Sequence, residues 1–159
     1  MDDIPPSAAS LLARRVAAAM LENDRASTSL GMRVEAVDAG RASLIMEVRP
    51  DMLNGHASCQ GGFIFALADS AFAYACNSRN LRTVAAGCQI EFLRPVLPGD
   101  TLRAEAVERA AGGRLGVYDV TVSNQRGEMV ALFRGKSCRI SGSVIDEGRA
   151  PGEPGSEQS

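Results

Sequence analysis

The chain has 159 residues, 45% of them apolar and 23% charged, with a net charge of −2. That is enough chain for one domain with a sizeable core. The near-neutral balance, the absence of a basic block, the lack of tryptophan and the scarcity of aromatics argue against nucleic acid as a partner. No apolar run reaches the roughly 20 residues that span a bilayer, so no membrane partner is expected either.

The opening "MDDIPPSAAS" is acidic and broken by two prolines, unlike a secretory leader. Residues 7–23 then carry Leu11, Leu12, Val16, Ala19 and Met20 at helical spacing, with Ser7 as N-cap. Two alternating stretches, 32–39 and 42–48, flank "DAGR" and predict a β-hairpin; Pro50 closes the second. The loop "DMLNGHASC" leads into "QGGFIFALADSAFAYACNS", residues 60–78, an almost wholly apolar helix. Beyond Asn80 four strands are predicted: 83–93, ended by the two prolines of "RPVLPGD", then 101–110, 115–123 and 129–140, with glycine turns between the last three. From residue 142 the composition turns to Gly, Pro, Ser and Glu, which predicts disorder to 159.

Three segments follow: an N-terminal helix and linker (1–29), a central domain (30–141) and a tail (142–159). A helix that is apolar on every side has to be wrapped. The economical solution is α+β: one curved antiparallel sheet folded around it, the hotdog architecture. Cys59, Cys76, Cys88 and Cys138 lie far apart, with no CxxC pair and no cluster around the single histidine, His56. No metal site is expected, and reduced thiols point to the cytoplasm.

Within that apolar helix stands one charge, Asp69. Aspartate is a poor helix former, and burying it costs more unless it is paired or used. A carboxylate kept there is a candidate base with a raised pKa. Gly61 and Gly62 fall in the helix's first turn, where backbone N–H groups lack helical partners and the macrodipole is positive. A donor site for an oxyanion together with a base suggests attack on a carbonyl. Eight residues at 1.5 Å each separate Asp69 from Gly61 by about 12 Å, too far for one reacting group. Two antiparallel copies solve this, so the expectation is a homodimer with two composite sites.

"NGHASCQGGFIFALADSAFAYACNS", with "GCQIEFLRPVLPGDTLRAEA" and "GVYDVTVSNQRGEMVALFRGKS", resembles the hotdog-fold acyl-CoA thioesterases of the PaaI type, the phenylacetate-degradation thioesterases. The resemblance implies hydrolysis of acyl-CoA thioesters, of the phenylacetyl-CoA or hydroxyphenylacetyl-CoA type, with no cofactor beyond the CoA of the substrate, by a dimer of dimers. It assigns Asp69 as base or nucleophile, the Gly61 N–H as the group that polarises the thioester carbonyl, and Asn54 as a second support for that carbonyl.

The family commonly has His where this chain has Gln60, and some relatives have Ser or Thr near Ala85. Gln60 cannot act as a base near neutral pH. Arg94, Arg134 and Lys136 lie in shared stretches and are candidate contacts for the CoA phosphates. His56 is expected to structure its loop. A Cys59–His56 thiol nucleophile has no further support, and the α/β-hydrolase motif G-x-S-x-G is absent. Two further readings remain: a non-catalytic acyl-CoA binding module, favoured by Gln60, and a hotdog hydratase or dehydratase, which would need a His paired with a carboxylate.

Overall fold

A computed structural model describes residues 5–148. The first helix, α1 (Ala8–Asn23), starts where expected, with Ser7 Oγ accepting from the Ser10 backbone N–H at 3.1 Å. The linker after it is not irregular. Asp24 caps a second short helix, α2 (Arg25–Ser29), by accepting from the Ser27 N–H at 3.0 Å. The hairpin follows as β1 (Arg33–Asp38) and β2 (Arg41–Glu47). Its two-residue turn places Gly40 at φ +72°, which a residue without Cβ adopts at no cost. A 3-10 turn at Pro50–Met52 occupies the start of what reads in sequence as plain loop.

The apolar helix is α3 (Gly61–Asn77). The remaining strands are β3 (Thr83–Phe92), β4 (Thr101–Gly112), β5 (Leu115–Ser123) and β6 (Met129–Arg139). All pairings are antiparallel, in the order β1-β2-β4-β5-β6-β3. The expected strands differ from these only at their ends, β4 running two residues further than its apolar alternation shows.

The sheet curls around α3, the hotdog arrangement. Leu44 and Met46 of β2, Leu102 and Ala104 of β4, Val120 and Val122 of β5 and Phe133 of β6 are buried against Leu67, Ala68, Ala71, Phe72 and Ala75 of the helix. Close approach depends on Gly135: a Cβ there would lie 2.8 Å from the Phe72 ring. Truncating a fully buried residue such as Leu67 to Ala costs about 2–5 kcal/mol.

Two anchors tie the N-terminal segment to α3. Tyr74 Oη donates to Asp24 Oδ2 at 3.1 Å, and the hydroxyls of Ser27 and Ser70 are 3.1 Å apart. At the other end the chain stays ordered past 141. The Val144 and Ile145 N–H groups donate to Asn80 Oδ1, and Asn80 Nδ2 donates to the Ile145 carbonyl. The expected disordered tail thus begins with a held segment to 148, because a buried asparagine supplies the hydrogen bonds that its composition does not suggest. The rest of that expectation, 149–159, lies outside the described residues. Among the described residues no helix is long and apolar enough to cross a membrane.

Candidate active site

Asp69 sits in the middle of α3, half-buried. It shares a stripe with Gly62, Ala66 and Ala73, at i, i+4, i+7 and i+11 spacing. The protomer covers that stripe incompletely: Gly62 is exposed and the other three are half-buried. On one flank Ser70 is tied to α2, and on the other Phe65 packs edge-on to Phe133, with ring centroids 5.3 Å apart.

Among the described residues no hydrogen bond or ion pair reaches the Asp69 carboxylate. Burial without compensation pushes its pKa above the ordinary aspartate value of 3.8. Cys76 on the same helix and Cys88 on β3 lie within reach of its charge. Burial is the main cause of the rise in both thiols, taking Cys76 to about 12.

Gly61 is the first residue of α3, and among the described residues no side chain caps that end. Its N–H is therefore free for an outside acceptor. The β3–β6 register shows what lies beside it. Ile90 and Phe92 stand opposite Phe133 and Ala131, both buried, so they project to the α3 side; Gln89 and Glu91 project away. The Phe92 ring comes so near Gly61 that a Cβ there would lie 2.8 Å from Cζ. Only glycine fits. Next to this contact opens a cavity of about 460 Å³, lined by Ser58, Cys59, Gly61, Ile64, Phe92 and the segment 93–96.

Asn54 lies in the loop before α3. Its Oδ1 accepts from the N–H of His56 at 2.9 Å and of Ser58 at 3.3 Å, and from the Ser58 hydroxyl. The oxygen is committed to shaping the loop, which leaves the Nδ2 donors for a substrate. His56 is exposed, its backbone engaged by Asn54, as a loop role requires. Cys59 is buried and its thiol is pushed up to about 11 by burial, so it is protonated at neutral pH. Gln60 is exposed and makes no side-chain cap.

The three candidate cations are not brought together. Arg94 lines the cavity at Gly61. Arg134 and Lys136 are exposed on the outer sheet face, away from α3. Arg134 donates to both oxygens of Asp119, at 2.6 and 2.9 Å, and this bidentate pair holds Asp119 below the usual carboxylate range. Lys136 has no ion-pair partner among the described residues. Sequence reasoning missed Phe92 altogether. Its signal was the strand alternation, which puts it on the inner face, but nothing in one sequence tells which helix residue an inner strand residue meets.

A curled antiparallel sheet around a helix that carries an unpaired carboxylate and an open amide end defines a hotdog-fold domain with a site suited to carbonyl chemistry. The model of the Thioesterase superfamily matches residues 56–131, which include both Gly61 and Asp69. The chain is 53% identical over 129 residues to the acyl-coenzyme A thioesterase PaaI of Escherichia coli, covering 81% of this chain and 92% of that protein. The solved structure of the E. coli PaaI protein, from the phenylacetic acid degradation operon, superposes with a TM-score of 0.85 at 51% identity, covering 86% of this chain and 99% of that one. A Streptococcus mutans protein solved bound to acetyl CoA gives a TM-score of 0.67 at 27% identity, over 70% of this chain and 90% of its own. The chain belongs to the thioesterase superfamily, within its PaaI-type hotdog acyl-CoA thioesterases.

Proposed function

We propose that this protein hydrolyses arylacetyl-CoA thioesters, of the phenylacetyl-CoA or hydroxyphenylacetyl-CoA type, in phenylacetate catabolism. The observation that carries the mechanism is the isolated, half-buried Asp69 carboxylate, about two turns of α3 from the free Gly61 amide. The thioester carbonyl oxygen accepts from the Gly61 N–H, with Asn54 Nδ2 as a second donor. Negative charge that develops on this oxygen is stabilised by donors already in place. Asp69 either takes a proton from the attacking water or attacks the carbonyl itself and is then released by water. CoA leaves as the thiol. The proposal uses no metal or cofactor.

The distance between amide and carboxylate favours a homodimer in which one protomer's Gly61 works with its partner's Asp69. Two features support this assembly. The β3 edge carries ten mostly exposed residues, largely small or apolar, with a single charge, Glu91, an invitation to pairing. A partly uncovered stripe of α3 carries Asp69, and Cys88 on that strand lies within reach of its charge. Association of two such dimers, and cytoplasmic residence, complete the proposal; four free cysteines suit a reducing compartment. For the CoA phosphates we propose Arg94, which lines the cavity beside Gly61; Lys136 and Arg134 lie apart from it on the outer sheet face, where Arg134 is held by Asp119.

A thiol trap with a panel of CoA esters tests the reaction: CoA release is expected from the arylacetyl esters, and a protein that binds them without releasing thiol overturns it. Mixing tests the composite site. Two inactive variants, Asp69→Asn and Gly61→Val, refolded together should regain about a quarter of wild-type activity, since half of the dimers are mixed and each has one intact site. A site within one protomer gives no recovery.

A further inference from the structure

We infer that Phe92 sets the preference for aromatic acyl groups by offering the face of its ring to the group next to the scissile carbonyl. The inference rests on the thioesterase reading and concerns a residue that the chemistry itself does not require. Phe92 is the last residue of β3, and its register opposite buried Ala131 turns it toward α3. An inward side chain at the end of a strand is ordinarily covered. Within the protomer this one is 52% exposed. The ring rests on Gly61, and both residues line the cavity beside that contact.

The contact with Gly61 fixes what the ring meets. A carbonyl oxygen bound by the Gly61 N–H lies about 2.9 Å from that nitrogen. The carbonyl's two substituents then lie over Gly61, beside a ring that already occupies the space a Cβ would need. One substituent is the sulfur of CoA, the other the first carbon of the acyl group. The lining decides between them. Ile64, Phe92, Leu93, Pro95 and Val96 make the wall apolar, and its polar side chains are Ser58 and Arg94. The pantetheine arm carries two amides, each of which loses its water hydrogen bonds on entering such a wall. A phenyl group loses none, and gains an offset or edge-on contact with Phe92. The acyl group therefore takes the cavity and the CoA arm leaves past Arg94.

The decisive measurement is kcat/KM for phenylacetyl-CoA and for hexanoyl-CoA, by thiol release, in wild type, Phe92→Leu and Phe92→Tyr. Leucine keeps apolar bulk and removes the ring; tyrosine keeps the ring. Phe92→Leu should lower phenylacetyl-CoA turnover relative to hexanoyl-CoA by about 3- to 10-fold, carried mainly by KM, and Phe92→Tyr should restore the ratio. Equal losses on both esters, or an unchanged ratio in an active enzyme, overturn the assignment while leaving the thioesterase reading intact. A wild type that releases thiol from neither ester overturns both.

Discussion

Two aspartates sit in the protein interior under opposite conditions. Asp100, 3% exposed, lies between the 93–100 loop and the β5–β6 turn. Its Oδ2 accepts from the Leu97 N–H at 2.9 Å, and its Oδ1 accepts from Gln125 Nε2 at 2.9 Å and from Arg126 at 3.4 Å. Burial pushes its pKa up, but these donors outweigh burial and hold it below the ordinary value. Asp69, less buried, has no such donor among the described residues, and burial raises it. The first carboxylate is satisfied by its own protomer and works as a structural clip. The second is left short of partners, and that shortfall makes it available to a substrate. Burial by itself separates nothing here; hydrogen-bond partners do.

The comparison makes opposite demands on substitution. Asp69→Asn keeps shape and removes the base. Thiol release should fall by about a hundred- to ten-thousand-fold, with folding intact. A variant with wild-type turnover would put Asp69 in the same structural class as Asp100. Asp100→Ala should do the reverse. It leaves the Leu97 N–H and the Gln125 amide without their acceptor, which costs about 2–4 kcal/mol in urea or thermal unfolding. Turnover per folded molecule should stay near wild type.

These two residues also show how far sequence reading reaches. Asp69 stands out because one charge interrupts a long apolar run, and period and composition alone expose it. Likewise the order of helices and strands follows from alternation, prolines and glycine turns. Asp100 sits in "PGD", which looks like any turn, and its partners Gln125 and Arg126 come from a second turn 25 residues on. Long-range pairing of polar groups leaves no local pattern. The same limit hides Phe92 against Gly61, Asn80 under the C-terminal segment and Asp119 on Arg134. The α2 helix was missed for another reason: five residues are too few to display a period, and only the capping Asp24 marks it.

The smallest effect is the dependence of stability on pH, and its sign differs between the two sites. Asp69 has a folded pKa above its unfolded value, so the folded state binds the proton more tightly there. The resulting contribution is fully present below the unfolded value, near 3.8, and is lost as pH rises through the raised folded pKa. Asp100 is the mirror case: its contribution is present above 3.8 and lost as pH falls through its lowered folded pKa. Asp69→Asn should therefore be at least as stable as wild type at neutral pH, and lose that advantage on titration toward pH 4. Asp100→Asn should be less stable at neutral pH and close part of the gap in acid. Unfolding midpoints in urea across this range read both trends. A neutral-pH loss of stability in Asp69→Asn would mean that the carboxylate has a partner after all, supplied by the second protomer, and its availability to a substrate would then depend on breaking that contact.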